Sequence, residues 1–400
     1  MTPPSSETLR GVVASADVVV CCGSGGVGKT TTAAVVGLEA ARAGRRVVVV
    51  TIDPARRLAD ALGLDDGLTS EPRRIDLRSD ADADADADAQ GAAGGRGADR
   101  GGELSAMMLD TAATFDGLVT RYAEDPDQVD RILSNPFYRN MASAMSGTQE
   151  YMAAETLHAL HLDHRFDLVV VDTPPSRNAL DFLDAPGVLS RFLDHRVFKL
   201  AMLPTRSSLK IFGAAAQPIF RAIGKVVGSD VLADSLAFFQ AFAGMETGFR
   251  ERADDVVALL RADRTKFVIV ATPRHDTITE AVWFARQLRD QGVGIDASVV
   301  NRVLPDFGRT PDEPGPVDGA GGSELDLLWR NLAELRATRA AEIEALAPLV
   351  ELTGRAPVAM VPLLSADVHD LGGLDEIALH LFADDGLDGG AGPRPPATTR

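Results

Sequence analysis

The chain has 400 residues, 45% of them hydrophobic, with 58 acidic against 40 basic residues and a formal net charge of −18. That length and apolar content suffice for a large core, arranged as one long α/β domain with insertions or as two or three domains. The acidity excludes a general nucleic-acid or anionic-membrane binder, which needs concentrated Lys and Arg, and reads as a solubility feature.

In chain order, residues 1 to about 8 form a loose tail, and Val12 to Cys22 leads into the first strand. Cys21 and Cys22 are the only cysteines. Strand neighbours point to opposite faces, so the pair does not form a disulfide and fits a reducing, intracellular setting. Thr30 to Ala43 reads as helix, and Arg45 to Ile52 is a continuous β-branched run suited to a strand buried on both faces. It ends at Asp53-Pro54-Ala55, and Arg56 to Gly63 reads as a short helix.

Residues 80–102, DADADADADA and a glycine-rich continuation, have almost no apolar bulk and are expected to be disordered. Glu103 to Leu109 reads as a strand, and Thr111 to Leu133 and Met141 to His164 as helices. His158, His161 and His164 are spaced by three, so they fan around a helix and read as a polar face, not one metal site. Phe166 to Asp172 (FDLVVVD) is another buried strand. Asp184 to Leu260 reads as a long helical region rich in Phe, Leu, Met and Ile. Its apolar residues suit an ordinary core or dimer contact, or an adaptable apolar groove.

Lys266 to Thr272, Ala297 to Asn301 and Val358 to Pro362 read as strands, with a helix at Thr277 to Gln291. Residues 310–323 form a flexible Pro/Gly/Asp-rich loop. Leu325 to Leu352 reads as a strongly amphipathic helix, or two, and residues 384–400 as a disordered tail. Strands alternating with helices predict an α/β fold with a mostly parallel sheet flanked by helices. No apolar run reaches membrane-spanning length and the N-terminus lacks a signal-peptide core, so a cytoplasmic location is expected.

The chemistry centres on GSGGVGKTTT, Gly23 to Thr32, between the first strand and its helix. Strand, glycine loop and helix are the context in which this pattern binds a nucleoside triphosphate. Curled backbone N–H groups and the helix N-terminus face the phosphates. Lys29 adds charge at the β- and γ-phosphates, and the Thr30 hydroxyl suits Mg²⁺. Asp172, at a neighbouring strand end, suits the Mg²⁺ side. Asp53 suits orienting or deprotonating the attacking water, against a simpler turn-forming role. Asn301 offers a donor and an acceptor for an adenine edge.

These segments together resemble the ArsA-type ATPases, which include the arsenite-pump ATPase and the guided-entry chaperone for tail-anchored membrane proteins. The resemblance rests on GSGGVGKTTT, TIDPARRLADALG and VVVDTPPSRNALDFL in order, with VVNRVLP and VPLL as adenine-side pieces. It implies a deviant P-loop ATPase of the SIMIBI type: one domain over 8–383, with helical subdomain segments at 111–164 and 184–262. It implies a dimer that opens and closes as ATP is bound and hydrolysed with Mg²⁺. By position it assigns the nucleotide to Gly23, Ser24, Gly25, Gly26, Val27, Gly28, Lys29, Thr30, Thr31, Asn301 and Pro362. It assigns catalysis to Asp53 and Lys29, and the metal to Thr30 and Asp172.

The chain departs from that family at four points. The family's extra lysine, which reaches the partner's phosphates, is Ser24 here. There is no CxxC for a zinc staple, and adjacent cysteines do not supply the separated thiols of an arsenite site. The second switch has Asn178 in place of a histidine. The serine predicts a heterodimer with a paralogous subunit that keeps the lysine, as in the paired ArsA-like subunits of actinobacteria, handling an apolar protein or lipid client. The alternatives are a weakly active nucleotide-binding scaffold and a ParA/MinD-type partitioning ATPase. The helical segment and the net charge disfavour the latter.

Overall fold

The protein is described by a computed structural model over residues 8–53, 55–77, 102–139, 148–174, 229–242, 244–308 and 324–383. The loop 310–323 and the tail 384–400 lie outside these residues. So do the expected disordered insertion, apart from Gly102, and the part of the helical region before 229.

Eight strands form one sheet in the order β3-β4-β2-β5-β1-β6-β7-β8. They are β1 (Val18–Gly23), β2 (Arg46–Thr51), β3 (Arg73–Ile75), β4 (Glu103–Met108), β5 (Leu168–Asp172), β6 (Thr265–Ala271), β7 (Ala297–Val303) and β8 (Val358–Pro362). Every pairing is parallel except β3 against β4. The valine-rich runs explain this: β1, β2 and β5 sit in the sheet interior and bury side chains on both faces. Val18, Val20 and Cys22 pack into one core cluster, Val19 and Cys21 into the other. The two thiols therefore point to opposite faces, and both are free.

One face carries α1 (Leu9–Ser15), α2 (Lys29–Arg42), α3 (Arg57–Ala61) and α12 (Leu371–Leu381). The other carries α6 (Thr148–His161), α8 (Glu246–Leu260), α9 (His275–Asp290) and α11 (Ala347–Thr353). A separate cluster joins α6 and α8 to α4 (Thr111–Tyr122), α5 (Pro126–Leu133) and α7 (Ser229–Phe242). Phe238, Phe242 and Met245 are buried there, against Phe115 and Phe249. Within the described residues these apolar side chains are core.

Several expectations need correction. The stretch from Val12 is first a helix: Thr8 caps α1, and Arg45 staples that helix through the carbonyls of Val13 and Ala16. The expected helix over 111–133 is two. Asp125 accepts from Gln128 N and Pro126 occupies the first turn, so a new helix starts there. His158 does not lie on a polar face; it is buried, whereas His161 is half-buried and His164 lies beyond the helix on the surface. Finally, α10 (Glu324–Ala345) buries none of its residues despite its apolar spacing, and Leu325, Leu327 and Leu328 are exposed. Its base is fastened by half-buried Ile343 against the core and by polar contacts: Glu342 accepts from Leu304 N, and Arg339 donates to the Leu304 carbonyl.

Candidate functional site

In a parallel sheet the carboxyl ends of the strands share one edge, where ligands bind in open α/β folds. Gly23, Thr51, Asp172, Val303 and Pro362 all end strands there. Pro362 ends β8, three strands from β1, and pairs in register with Val303.

Gly23 leaves β1 so close to β6 that a Cβ would stand 2.1 Å from the Val270 carbonyl oxygen. No other residue fits. Gly25 and Gly26 form the exposed crest, and Val27 tucks into the core. Gly28 precedes α2 with φ 101°, a left-handed conformation that favours glycine. A Cβ on Gly28 would also collide with Asn301 Nδ2, at 2.2 Å. The loop therefore delivers Lys29, Thr30 and Thr31 to the first turn of α2, whose free N–H groups lie at the loop.

Lys29 folds back over the loop. Its Nζ donates to the carbonyls of Gly23 at 2.9 Å and Ser24 at 2.8 Å. Burial pulls its pKa below the ordinary lysine value, and the Asp172 carboxylate partly restores it. The Thr30 hydroxyl donates to Asp172 Oδ2 at 2.7 Å, and the Thr51 hydroxyl to the same oxygen at 2.9 Å. Burial pushes the Asp172 carboxyl pKa up, while those hydroxyls and Lys29 hold it down. Its other oxygen, Oδ1, is buried with no hydrogen-bond partner among the described residues. An orphaned buried carboxylate oxygen is costly until it meets a donor or a cation. A hydroxyl and a carboxylate are also the hard oxygen donors that Mg²⁺ takes, along with water and phosphate. The residues present fit that ion.

Asp53, just beyond β2, is tied into its own turn. Oδ1 accepts from Ala55 N at 2.9 Å, and Oδ2 pairs with Arg57 at 3.2 Å. Ser24 points inward, 5% exposed, and its hydroxyl donates to Glu280 Oε2 on α9 at 2.6 Å. Asn301 Nδ2 donates to the Val27 carbonyl at 2.9 Å, and its Oδ1 accepts from Arg302 N. The structure thus joins Asn301 to the phosphate loop, a contact the sequence reading did not anticipate. Arg302, also missed, donates to the Gly26 carbonyl at 3.3 Å. The one signal for it was its place beside Asn301 in VVNRVLP. Thr51 opens the motif TIDPARRLADALG but was given no role, because its bond to Asp172 arises from sheet register; Glu280 gave no motif signal, because its role arises from helix packing. Asn178 lies outside the described residues.

Residues 16–312 match the family described as anion-transporting ATPase. Among curated proteins, the chain is similar to ATPase GET3 of Malassezia globosa, 25% identical over 287 residues covering 72% of each chain. ATPase get3 of Aspergillus terreus is 27% identical over 285 residues, 70% of this chain and 72% of its own. ATPase GET3 of Paracoccidioides lutzii is 28% identical over 285 residues, 70% of this chain and 71% of its own.

Proposed function

The chain belongs to the anion-transporting ATPase family and is an ATP hydrolase, and from that premise we propose that it couples Mg²⁺-dependent ATP binding and hydrolysis to the opening and closing of a dimer. The observation that carries the reading is the phosphate loop with Lys29 folded over it and Thr30 bonded to Asp172. Gly23 to Thr31 hold the phosphates through backbone N–H groups, with Lys29 as the fixed charge. Thr30 and Asp172 would hold Mg²⁺, whose chemistry is neutralising charge on the transferred phosphoryl group. Asp53 orients the attacking water and accepts its proton. Its present partner Arg57 is mostly exposed, and such surface pairs are weak enough to exchange. Asn301 and Pro362 flank the base side.

The dimer is a heterodimer with a paralogous subunit that carries the family lysine. Ser24 supports this: its short side chain is turned inward onto Glu280, so position 24 offers a neighbouring subunit no cation. The described helices α4, α5, α6, α7 and α8 belong to the subdomain that handles an apolar protein or lipid client in the cytoplasm.

The Asp53→Asn variant tests the working site. Turnover of the assembled complex is expected to fall by about 10²-fold or more while ATP binding persists. Unchanged turnover would instead make this subunit a nucleotide-binding scaffold.

A further inference from the structure

The end of β7 is irregular. Its pairing with β8 shifts register between Val300 and Val303, a β-bulge at Asn301 and Arg302. Arg302 has φ 61°, the only left-handed non-glycine residue among those described. A long side chain in that conformation is disfavoured and persists where the surroundings hold it. Bulges also re-aim side chains beside active sites. Here both bulged residues turn onto the phosphate loop: Asn301 onto the Val27 carbonyl and Arg302 onto the Gly26 carbonyl.

The charges around the loop explain what such a cation would do. Asp172 holds Thr30 at its end, Asp53 is near enough to act on the Lys29 charge, and Glu280 holds Ser24. Against these, Lys29 is buried on two carbonyls and Arg57 is paired with Asp53. A polyphosphate arriving there adds several negative charges. Arg302 stands exposed at the loop crest, with no carboxylate paired to it among the described residues. A guanidinium has five donors and one is on Gly26, so the others are free to take phosphate oxygens in a planar fork.

We infer that Arg302 is a nucleotide-binding residue: the β7 bulge presents its guanidinium, from within the same subunit, to the polyphosphate of a bound nucleoside di- or triphosphate. It supplies in cis, for binding, part of the positive charge that Ser24 lacks. The partner's lysine remains the charge for turnover. This inference rests on the phosphate-loop reading above.

The test separates charge from mere strapping of the loop. Arg302→Gln keeps a donor for the Gly26 carbonyl but removes the charge; Arg302→Lys keeps the charge. ATP and ADP affinities of the purified full chain are measured by titration calorimetry, with thermal midpoints recorded to verify folding. Arg302→Gln is expected to weaken both nucleotides by about tenfold or more, the size of one charge-assisted hydrogen bond, and Arg302→Lys to recover most of that loss. Affinity of Arg302→Gln within twofold of wild type overturns the inference, as does an equal loss in both variants, which marks a structural strap. If wild type and Lys29→Ala bind ATP equally, the phosphate-loop reading itself fails, and the two failures are thereby distinguished.

Discussion

Cys21 and Cys22 lie in β1 directly before the phosphate loop, yet neither thiol is chemically available. Burial pushes the Cys22 pKa up to about 12 and raises that of Cys21 well above its ordinary value. The thiolate is the reactive form, so at pH 8 only about one Cys22 in 10⁴ is ionised. The folded chain is therefore expected to leave both thiols unmodified by iodoacetamide over hours at pH 8, with two modified per chain in denaturant. Rapid labelling of the native protein would show that β1 opens readily. At the same scale, the ends of the phosphate loop were legible because their residue types are demanded locally. No side chain fits Gly23, and only a left-handed residue fits Gly28. Arg302 was not legible. Its conformation is imposed by a register shift against a strand more than fifty positions away, which no local pattern records.

Among the elements, α6 and α8 are joined by an ion pair with both side chains only 4% exposed. Arg252 donates Nε to both Glu155 oxygens and Nη2 to Oε1 at 2.6 Å. Removing one partner leaves a buried, uncompensated charge, so Glu155→Ala is expected to cost about 3–5 kcal/mol in urea unfolding. Replacing both, as Glu155→Leu with Arg252→Met, is expected to cost far less. Equal losses would show that the charges do not compensate each other. One turn along, burial and Arg252 hold His158 down to about pKa 4. The unfolded chain binds a proton near pH 6.5 that the folded chain refuses, so this histidine's contribution is intact above pH 6.5. It is lost as pH falls toward 4, at up to about 1.4 kcal/mol per pH unit. His158→Leu should flatten the fall in thermal midpoint between pH 6.5 and 4.5; an unchanged slope would place the acid sensitivity elsewhere.

The legibility of elements follows the same physics. The inner strands were readable because burial on both faces demands continuous β-branched runs, and Asp125-Pro126 carried a helix start that the longer apolar pattern concealed. The three-residue β3 escaped notice because it is too short to show alternation, and α12 because Gly372 and Gly373 in its first turn masked the i, i+3, i+4, i+7 spacing of Leu374, Ile377, Ala378 and Leu381. In α10 the apolar spacing was real, but spacing does not specify what covers it, and among its apolar residues Ile343 packs against the core while Leu325, Leu327 and Leu328 stay exposed.

For the whole molecule, the sheet gathers residues from β1, β2, β5 and β7 onto one edge, and that convergence makes a site from segments far apart in sequence. No described helix is long and apolar enough to cross a membrane. The proposed heterodimer rests on a missing charge: the loop carries Ser24 where the resemblance to the family implies a lysine that reaches a partner's phosphates. A trans cation of this kind is worth about 10³–10⁵ in phosphoryl-transfer rate. The most direct measurement is ATP turnover by the purified chain alone and after addition of a lysine-bearing paralogous subunit. The expected result is slow turnover alone and a rise of at least about 10²-fold on mixing, abolished when the partner's lysine is replaced by alanine. Full turnover by a homodimer of this chain would contradict it.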